Sequence, residues 1–165
     1  MPLNKGPRVG LDCILAFNAT LSNTITPASF TTVPEVMDLN LSVAHGKIDT
    51  PSRASKWKSK VPGMTELSMT FGYNYQGDPG DTIFTTLRTA FLAKTILHFA
   101  VMDNVLVSPG PAGAQGLVFP GVIFDFPLDQ PLEAAAKVDI GVELTRAKDG
   151  AVIIDPVWLI IAPTA

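Results

Sequence analysis

The sequence has one cysteine, little charge and no long apolar run, and each scarcity closes off a class of protein. Cys13 stands alone in 165 residues, so an intrachain disulfide is impossible. Its setting, the apolar run Cys13 to Phe17, predicts an inert thiol in a buried strand. Charged residues make up 16% and the net charge is −3, so overall charge gives no case for nucleic-acid binding. The most apolar stretch, Val152 to Ala162, is interrupted by Asp155 and Pro156. It falls well short of the ~20 residues that a membrane-spanning helix needs. The opening residues, Met1-Pro2-Leu3-Asn4-Lys5-Gly6-Pro7, lack the apolar core of a secretion signal. A soluble protein made in a cytoplasm, without membrane association, is the expectation.

Catalytic signatures are scarce as well. The chain has no Gly-rich phosphate loop, no serine nucleophile elbow and no HExxH pair. His45 and His98 have no cysteine, second histidine or carboxylate at metal-ligand spacing. Asp125, Asp129 and Glu133 flank prolines and read as turn and solvent residues, not as a glycosidase pair. Asp139 and Glu143 alternate along a strand with too few neighbouring ligands for calcium. The expectation is a protein that is not an enzyme and carries no cofactor, metal or catalytic residue.

Apolar residues are abundant, at 47%, which marks a globular chain with one core and one domain. Gly and Pro supply 27 of 165 residues, about 16% against roughly 12% in average usage. That excess favours strands joined by turns. Met37 to Val43 alternates strictly, as do Leu67, Met69, Phe71, Tyr73 and Tyr75 against Glu66, Ser68, Thr70 and Asn74. Leu97 to Val101 and Val138 to Leu144 repeat the pattern, and Phe119 to Leu128 carries Pro120-Gly121 as an expected bulge or bend. One segment reads as a helix, about residues 81–94, with Asp81 as its cap. Ile83, Phe84, Leu87, Ala90 and Phe91 share one arc of it, while threonines dominate the rest. Threonine is a weak helix former, so this helix depends on docking Ile83, Phe84, Leu87 and Phe91 onto a sheet. The predicted fold is mainly β, a sandwich or barrel of six or seven strands with one flanking helix. The C-terminal tail has room for one more strand.

His45 to Pro62 shows no period and contains two prolines, so it reads as a long loop. Lys47, Arg53, Lys56, Lys58 and Lys60 against Asp49 give it +4; with a total of −3, the remainder carries −7. Trp57 is the one aromatic among these lysines. A basic arm on an acidic body suggests contact between copies, and a solvated loop explains the same charges.

This order of features resembles the tail tube (major tail) proteins of long-tailed bacteriophages over roughly residues 34–150. The matching texture is the strand Val36 to Val43, the basic loop around Arg53 to Gly63 and the strand Met64 to Tyr75. The break Gly77-Asp78-Pro79-Gly80-Asp81, the helix and the return Phe119-Pro120-Gly121-Val122-Ile123-Phe124-Asp125 follow. The resemblance implies a β-sandwich whose six copies form a ring, with rings stacked into a tube that delivers DNA. It implies a virion tail protein assembled in the host bacterial cytoplasm, partnered by tape measure, terminator and baseplate or tip proteins. Residues 1–165 would then be a single tail-tube-like domain, with residues 1–12 and 151–165 as extensions used in subunit contacts. Lys47, Arg53, Lys56, Trp57, Lys58 and Lys60 would form an inter-ring loop. Asp38, Asn40, Ser42, Glu66, Ser68, Thr70 and Asn74 contain no cation and are the candidates for a lumen that DNA passes without specific binding. A head–tail completion protein and a carbohydrate-binding β-sandwich are the alternatives.

Overall fold

The computed structural model describes residues 13–50, 59–75, 77–78, 80–104, 106, 113–129 and 136–161. Its strands are β1 (Ile14–Asn18), β2 (Thr31–Thr32), β3 (Val36–Thr50), β4 (Ser59–Asn74), β5 (Leu97–Met102), β6 (Ala114–Asp125), β7 (Leu128–Asp129), β8 (Lys137–Leu144), β9 (Ala147–Asp149), β10 (Val152–Ile154) and β11 (Val157–Ile161). Among the described residues one α-helix, α1, spans Thr82–Ala93, and a short 3-10 turn covers Pro27–Ser29. The protein is thus mainly β with a single helix. Several strand segments are too short for hydrophobic periodicity to reveal them.

Nine strands form one antiparallel sheet in the order β2-β1-β5-β6-β8-β4-β3, with β11 beside β6 and β7 beside β8; β9 and β10 form a separate ribbon. The branch point is β6. One edge pairs with β5, from Leu97↔Gly121 to Met102↔Gly116. The other edge pairs first with β11, at Ala114 to Val118, and then with β8, from Gly121 to Asp125. The sheet therefore folds about β6. Leu15 and Phe17 of β1 and Phe99 of β5 share one core with Met69 and Phe71 of β4 and Ile140 and Val142 of β8. A second, smaller core lies on the opposite face, where Ile25, Phe30, Leu159 and Ile161 pack against Ala16, Ala100, Met102 and Val118.

Pro120 does not bend the chain as its sequence context suggests; β6 runs through it. The Thr145 amide donates to its carbonyl at 3.1 Å. In a strand the nitrogen and carbonyl of one residue face the same edge, so the Pro120 nitrogen faces the gap between β11 and β8. There a missing amide hydrogen costs no ladder bond. The actual irregularity comes later, between Ile123 and Asp125.

The helix packs by the stripe that the sequence shows. Phe84, Leu87 and Ala90 are buried, and Ile83 and Phe91 are half-buried against the main core. Phe84 stacks on Tyr75 with centroids 4.2 Å apart, and Phe91 stacks on Phe126 at 5.5 Å. Asp81 caps the first turn by accepting from the Phe84 amide at 2.9 Å. The last turn closes with the Thr95 amide on the Ala90 carbonyl and the Lys94 amide on the Phe91 carbonyl. That is a Schellman motif, with Lys94 in the left-handed region at φ 54°.

Of the loop expected over His45 to Pro62, residues 51–58 lie outside the described residues, and the described ends are strand. His45 to Thr50 continues β3, and Ser59 to Pro62 belongs to β4, paired from Lys47↔Pro62 to Thr50↔Ser59. Hydrophobic alternation fails here because both faces of the ribbon meet water, so no side of it needs apolar residues. Among the described residues, the part of β4 that precedes Ser68 pairs with β3 alone, and its open edge accommodates Pro62. The C-terminal tail, expected to have room for one more strand, supplies two short ones, β10 and β11. Cys13, expected in a buried strand, precedes β1 and is exposed.

Candidate functional site

A continuous polar surface covers the outward face of β3, β4 and β8. Alternation puts Leu67, Met69, Phe71 and Tyr73 into the core and turns their neighbours outward. Cross-strand register then aligns Asn40 with Thr70 and Gly141, and Ser42 with Ser68 and Glu143. Glu66 sits opposite Ala44, further out on the hairpin. Five of the seven residues singled out by sequence, Asn40, Ser42, Glu66, Ser68 and Thr70, are thus gathered on one exposed face. Asn74 lies at its end, half-buried, with its amide donating to Met37 Sδ at 3.4 Å.

Asp38 reaches this face by a different route. A register irregularity between Met37 and Asn40 puts it at φ 51°, a conformation asparagine and aspartate tolerate better than most residues. Its carboxylate lies 3.6 Å from Lys137 Nζ, and Asp139 holds the same ammonium at 2.9 Å. The Asp139 hydrogen bond, followed by the charges of Asp139 and Asp38, raises the Lys137 pKa above the usual lysine value. Lys137 lies directly over Gly72, where a Cβ would collide with its Cε. Asp125 packs over Gly141 in the same manner, 3.0 Å from where a Cβ would stand. Among the described residues Lys137 is thus engaged by Asp38 and Asp139, and Glu66, Asp125 and Glu143 add further carboxylates to the same face.

The β3–β4 hairpin carries this surface away from the body. Lys47 and Lys60 lie on it, exposed, with Lys60 Nζ 3.9 Å from Asp49. Arg53, Lys56, Trp57 and Lys58 lie outside the described residues. His45, placed in β3 and not in a loop, shares a 2.8 Å hydrogen bond with Thr65 Oγ1. His98 is buried beneath Phe30, with ring centroids 5.7 Å apart, and burial lowers its pKa. Among the described residues no group of three His, Cys, Asp or Glu side chains is placed to hold a metal. No described helix is long and apolar enough to cross a membrane.

No protein-family profile matches this chain, and no curated protein sequence does. Solved structures do. A chain of the SPP1 tail tube superposes with a TM-score of 0.67 at 15% identity, over 92% of this chain and 78% of that one. The chain has the tail tube fold. A chain from the tail of an empty gene transfer agent particle, refined with helical C6 symmetry, gives 0.63 at 16% identity, over 86% and 96%. A chain from the structure of a sheath/tube terminator of an extracellular contractile injection system gives 0.58 at 10% identity, over 96% and 99%.

Within this chain's tail tube fold, sequence reasoning missed the β8 half of the polar face: Lys137, Asp139, Gly141 and Glu143. Their alternation was legible. What was not legible is that β8 lies beside β4, a pairing between segments some seventy residues apart.

Proposed function

We propose that this chain is the tube subunit of a virion tail, in which six copies close into a ring and rings stack into a hollow tube for DNA. The observation that carries this reading is the likeness to the SPP1 tail tube over 92% of the chain. The polar face supports it: DNA slides along a wall that offers no free cation and so releases no counterions. In this reading Asp38, Asn40, Ser42, Glu66, Ser68, Thr70 and Asn74 line the lumen, joined by Asp125, Asp139, Gly141 and Glu143. The β3–β4 hairpin is the arm toward the adjacent ring, its basic residues and Trp57 meeting a neighbour's acidic surface. Assembly takes place in the host cytoplasm, with tape measure, terminator and baseplate or tip proteins as partners. The mechanism needs no catalytic group, and the protein acts as no enzyme.

Likeness to a sheath/tube terminator favours one second reading, a ring that caps a tube without extending it. Negative-stain microscopy of concentrated protein separates the two. Hollow tubes support the tube subunit, single rings that never stack support the terminator, and monomers throughout overturn both. Reversal of Lys56, Lys58 and Lys60 to Glu, or Trp57→Ala, is expected to leave a folded subunit that does not polymerise. Normal tubes from the triple reversal at low and moderate salt would remove the hairpin's role.

A further inference from the structure

After β1, residues 19–32 cross the smaller core as a strap and return beside β1 as β2. Ile25 and Phe30 are the strap's apolar contacts, packed with Ala16, Ala100, Met102 and Val118. The strap is held lightly. Its strand β2 meets β1 at Ala16↔Thr32 and Phe17↔Thr31. Further ties run from the Asn18 amide to Ser29 Oγ at 2.9 Å and from the Asn23 backbone amide to Asp149 Oδ2 at 3.2 Å.

Beneath Phe30 lies His98, 2% exposed, with the ring centroids 5.7 Å apart. Apart from Tyr73, no other described residue with a polar side chain is buried. Cross-strand register sets Asn18 of β1 and Pro120 of β6 on either side of His98. Proline has no polar side chain, and the Asn18 side-chain oxygen already accepts from the Thr20 amide at 2.9 Å. The strands β1 and β5 and the strap contain no Asp, Glu, Lys or Arg, and the one such residue of β6, Asp125, packs over Gly141 at the far end. Past the strap, Asp149 is occupied by the Asn23 amide, and Arg146 and Lys148 are exposed. Among the described residues nothing set against His98 is an anion, and burial lowers its pKa below the usual histidine value.

We propose that His98 and Phe30 form an acid-released latch: protonation of His98 lifts Phe30 and with it the strap, uncovering the smaller core while β1, β5 and β6 stay paired. The direction follows from linkage. In the closed form the imidazole is neutral; in the open form it meets water and titrates near pH ~6.5. The open form therefore binds the extra proton. Closure is complete above that pH and weakens as pH falls below it, roughly 10-fold per pH unit, until the closed form itself titrates. Carboxylates ordinarily titrate near pH ~4, so the window from about pH 7 to 5 isolates the histidines. The other histidine, His45, lies on the β3–β4 ribbon and bonds Thr65. The latch is independent of the tail tube reading.

Hydrogen exchange of the full chain, read by mass spectrometry and corrected for the intrinsic pH dependence of exchange, tests the latch. Protection of residues 24–32 is expected to fall roughly 10-fold between about pH 6 and 5, while β5 and β6 keep theirs. His98→Phe keeps a ring against Phe30 without a site for a proton and should flatten the profile; His45→Gln should leave it unchanged. Constant protection across the window, or an equal fall in His98→Phe, would overturn the proposal. So would a fall that reaches β5 and β6 equally, since the whole sheet would then be opening. Where His98→Phe does not fold, the imidazole proton resonance of His98 decides, read in His45→Gln so that it is the only one. A resonance that titrates together with the strap amides supports the latch, and one that titrates near pH ~6.5 with the strap amides unmoved removes it.

Discussion

The Tyr73 hydroxyl donates to Asp81 Oδ2 at 2.7 Å, while the other oxygen of that carboxylate accepts from the Phe84 amide at 2.9 Å. One side chain thus caps the helix and ties it to the end of β4. Loss of a cap costs about 0.5–2 kcal/mol, and a buried hydroxyl left without a partner adds about 1–3 kcal/mol. Asp81→Ala is expected to lower stability by about 2–3 kcal/mol, and Tyr73→Phe by about 1 kcal/mol. Urea midpoints of both variants and their combination would check this, because the two effects are coupled and must fall short of additive.

The same contact makes stability sensitive to alkali. Burial first, then the Asp81 hydrogen bond and the charges of Asp81 and Glu35, raise the Tyr73 pKa well above its ordinary value. The native state holds a proton that the unfolded chain releases near pH ~10. This stabilisation is complete below that pH and is lost as pH rises toward the native pKa, by about 1.4 kcal/mol per pH unit. Between about pH 9 and 11, wild type should lose stability more steeply than Tyr73→Phe, read from urea midpoints at each pH. Equal slopes would contradict it.

Gly116 and Gly72 are both tightly covered, yet they should respond differently. A Cβ on Gly116 would collide with the Val101 carbonyl oxygen and come within 2.7 Å of Met102 Cα, both backbone of the paired strand. Gly116→Ala must push β5 away and is expected to cost about 3 kcal/mol or more. A Cβ on Gly72 meets the far end of Lys137, which swings aside. Gly72→Ala should cost under ~1 kcal/mol. Thermal melts of the two variants rank them directly.

Lys94 occupies a left-handed position where glycine is the default. The non-glycine strain there, roughly 1–2 kcal/mol, outweighs the backbone entropy that glycine adds to the unfolded chain. Lys94→Gly is expected to stabilise the fold by about 0.5–1 kcal/mol, and a lowered denaturation midpoint would refute the strain argument.

Phe84 and Phe91 both dock the helix, to different depths. Phe84 is 7% exposed and Phe91 half-buried. Phe84→Ala should cost about 3–5 kcal/mol, and Phe91→Ala roughly half as much. A reversed order in chemical denaturation would mean that the helix is anchored from its C-terminal end.

Whether a feature was legible in the sequence depended on whether its cause was local. Leu67, Met69, Phe71 and Tyr73 alternate because one side of β4 is buried, and the helix stripe and Asp81 cap are equally local. The β3–β4 ribbon past Ser42 escaped because neither of its faces is buried, so it leaves no periodic trace. Pro120 misled for a different reason: a proline breaks a ladder only where its nitrogen meets a partner, and the neighbours of β6 are set by strands far away in sequence. The acidic face was half legible. Asn40, Ser42, Ser68 and Thr70 showed themselves by alternation, but nothing local joins them to Asp125 and Glu143.

The double pairing of β6 also governs how the molecule comes apart. Its residues Ala114 to Val118 hold β5 and β11, and Gly121 to Asp125 hold β8, along one continuous backbone. Loss of β6 therefore removes ladder bonds from both halves of the sheet at once. Subglobal opening is expected first in the β3–β4 ribbon and the β9–β10 pair, which hold fewer sheet partners. The strands paired to β6 are expected to open together, with amide exchange slower there than in the β3–β4 ribbon.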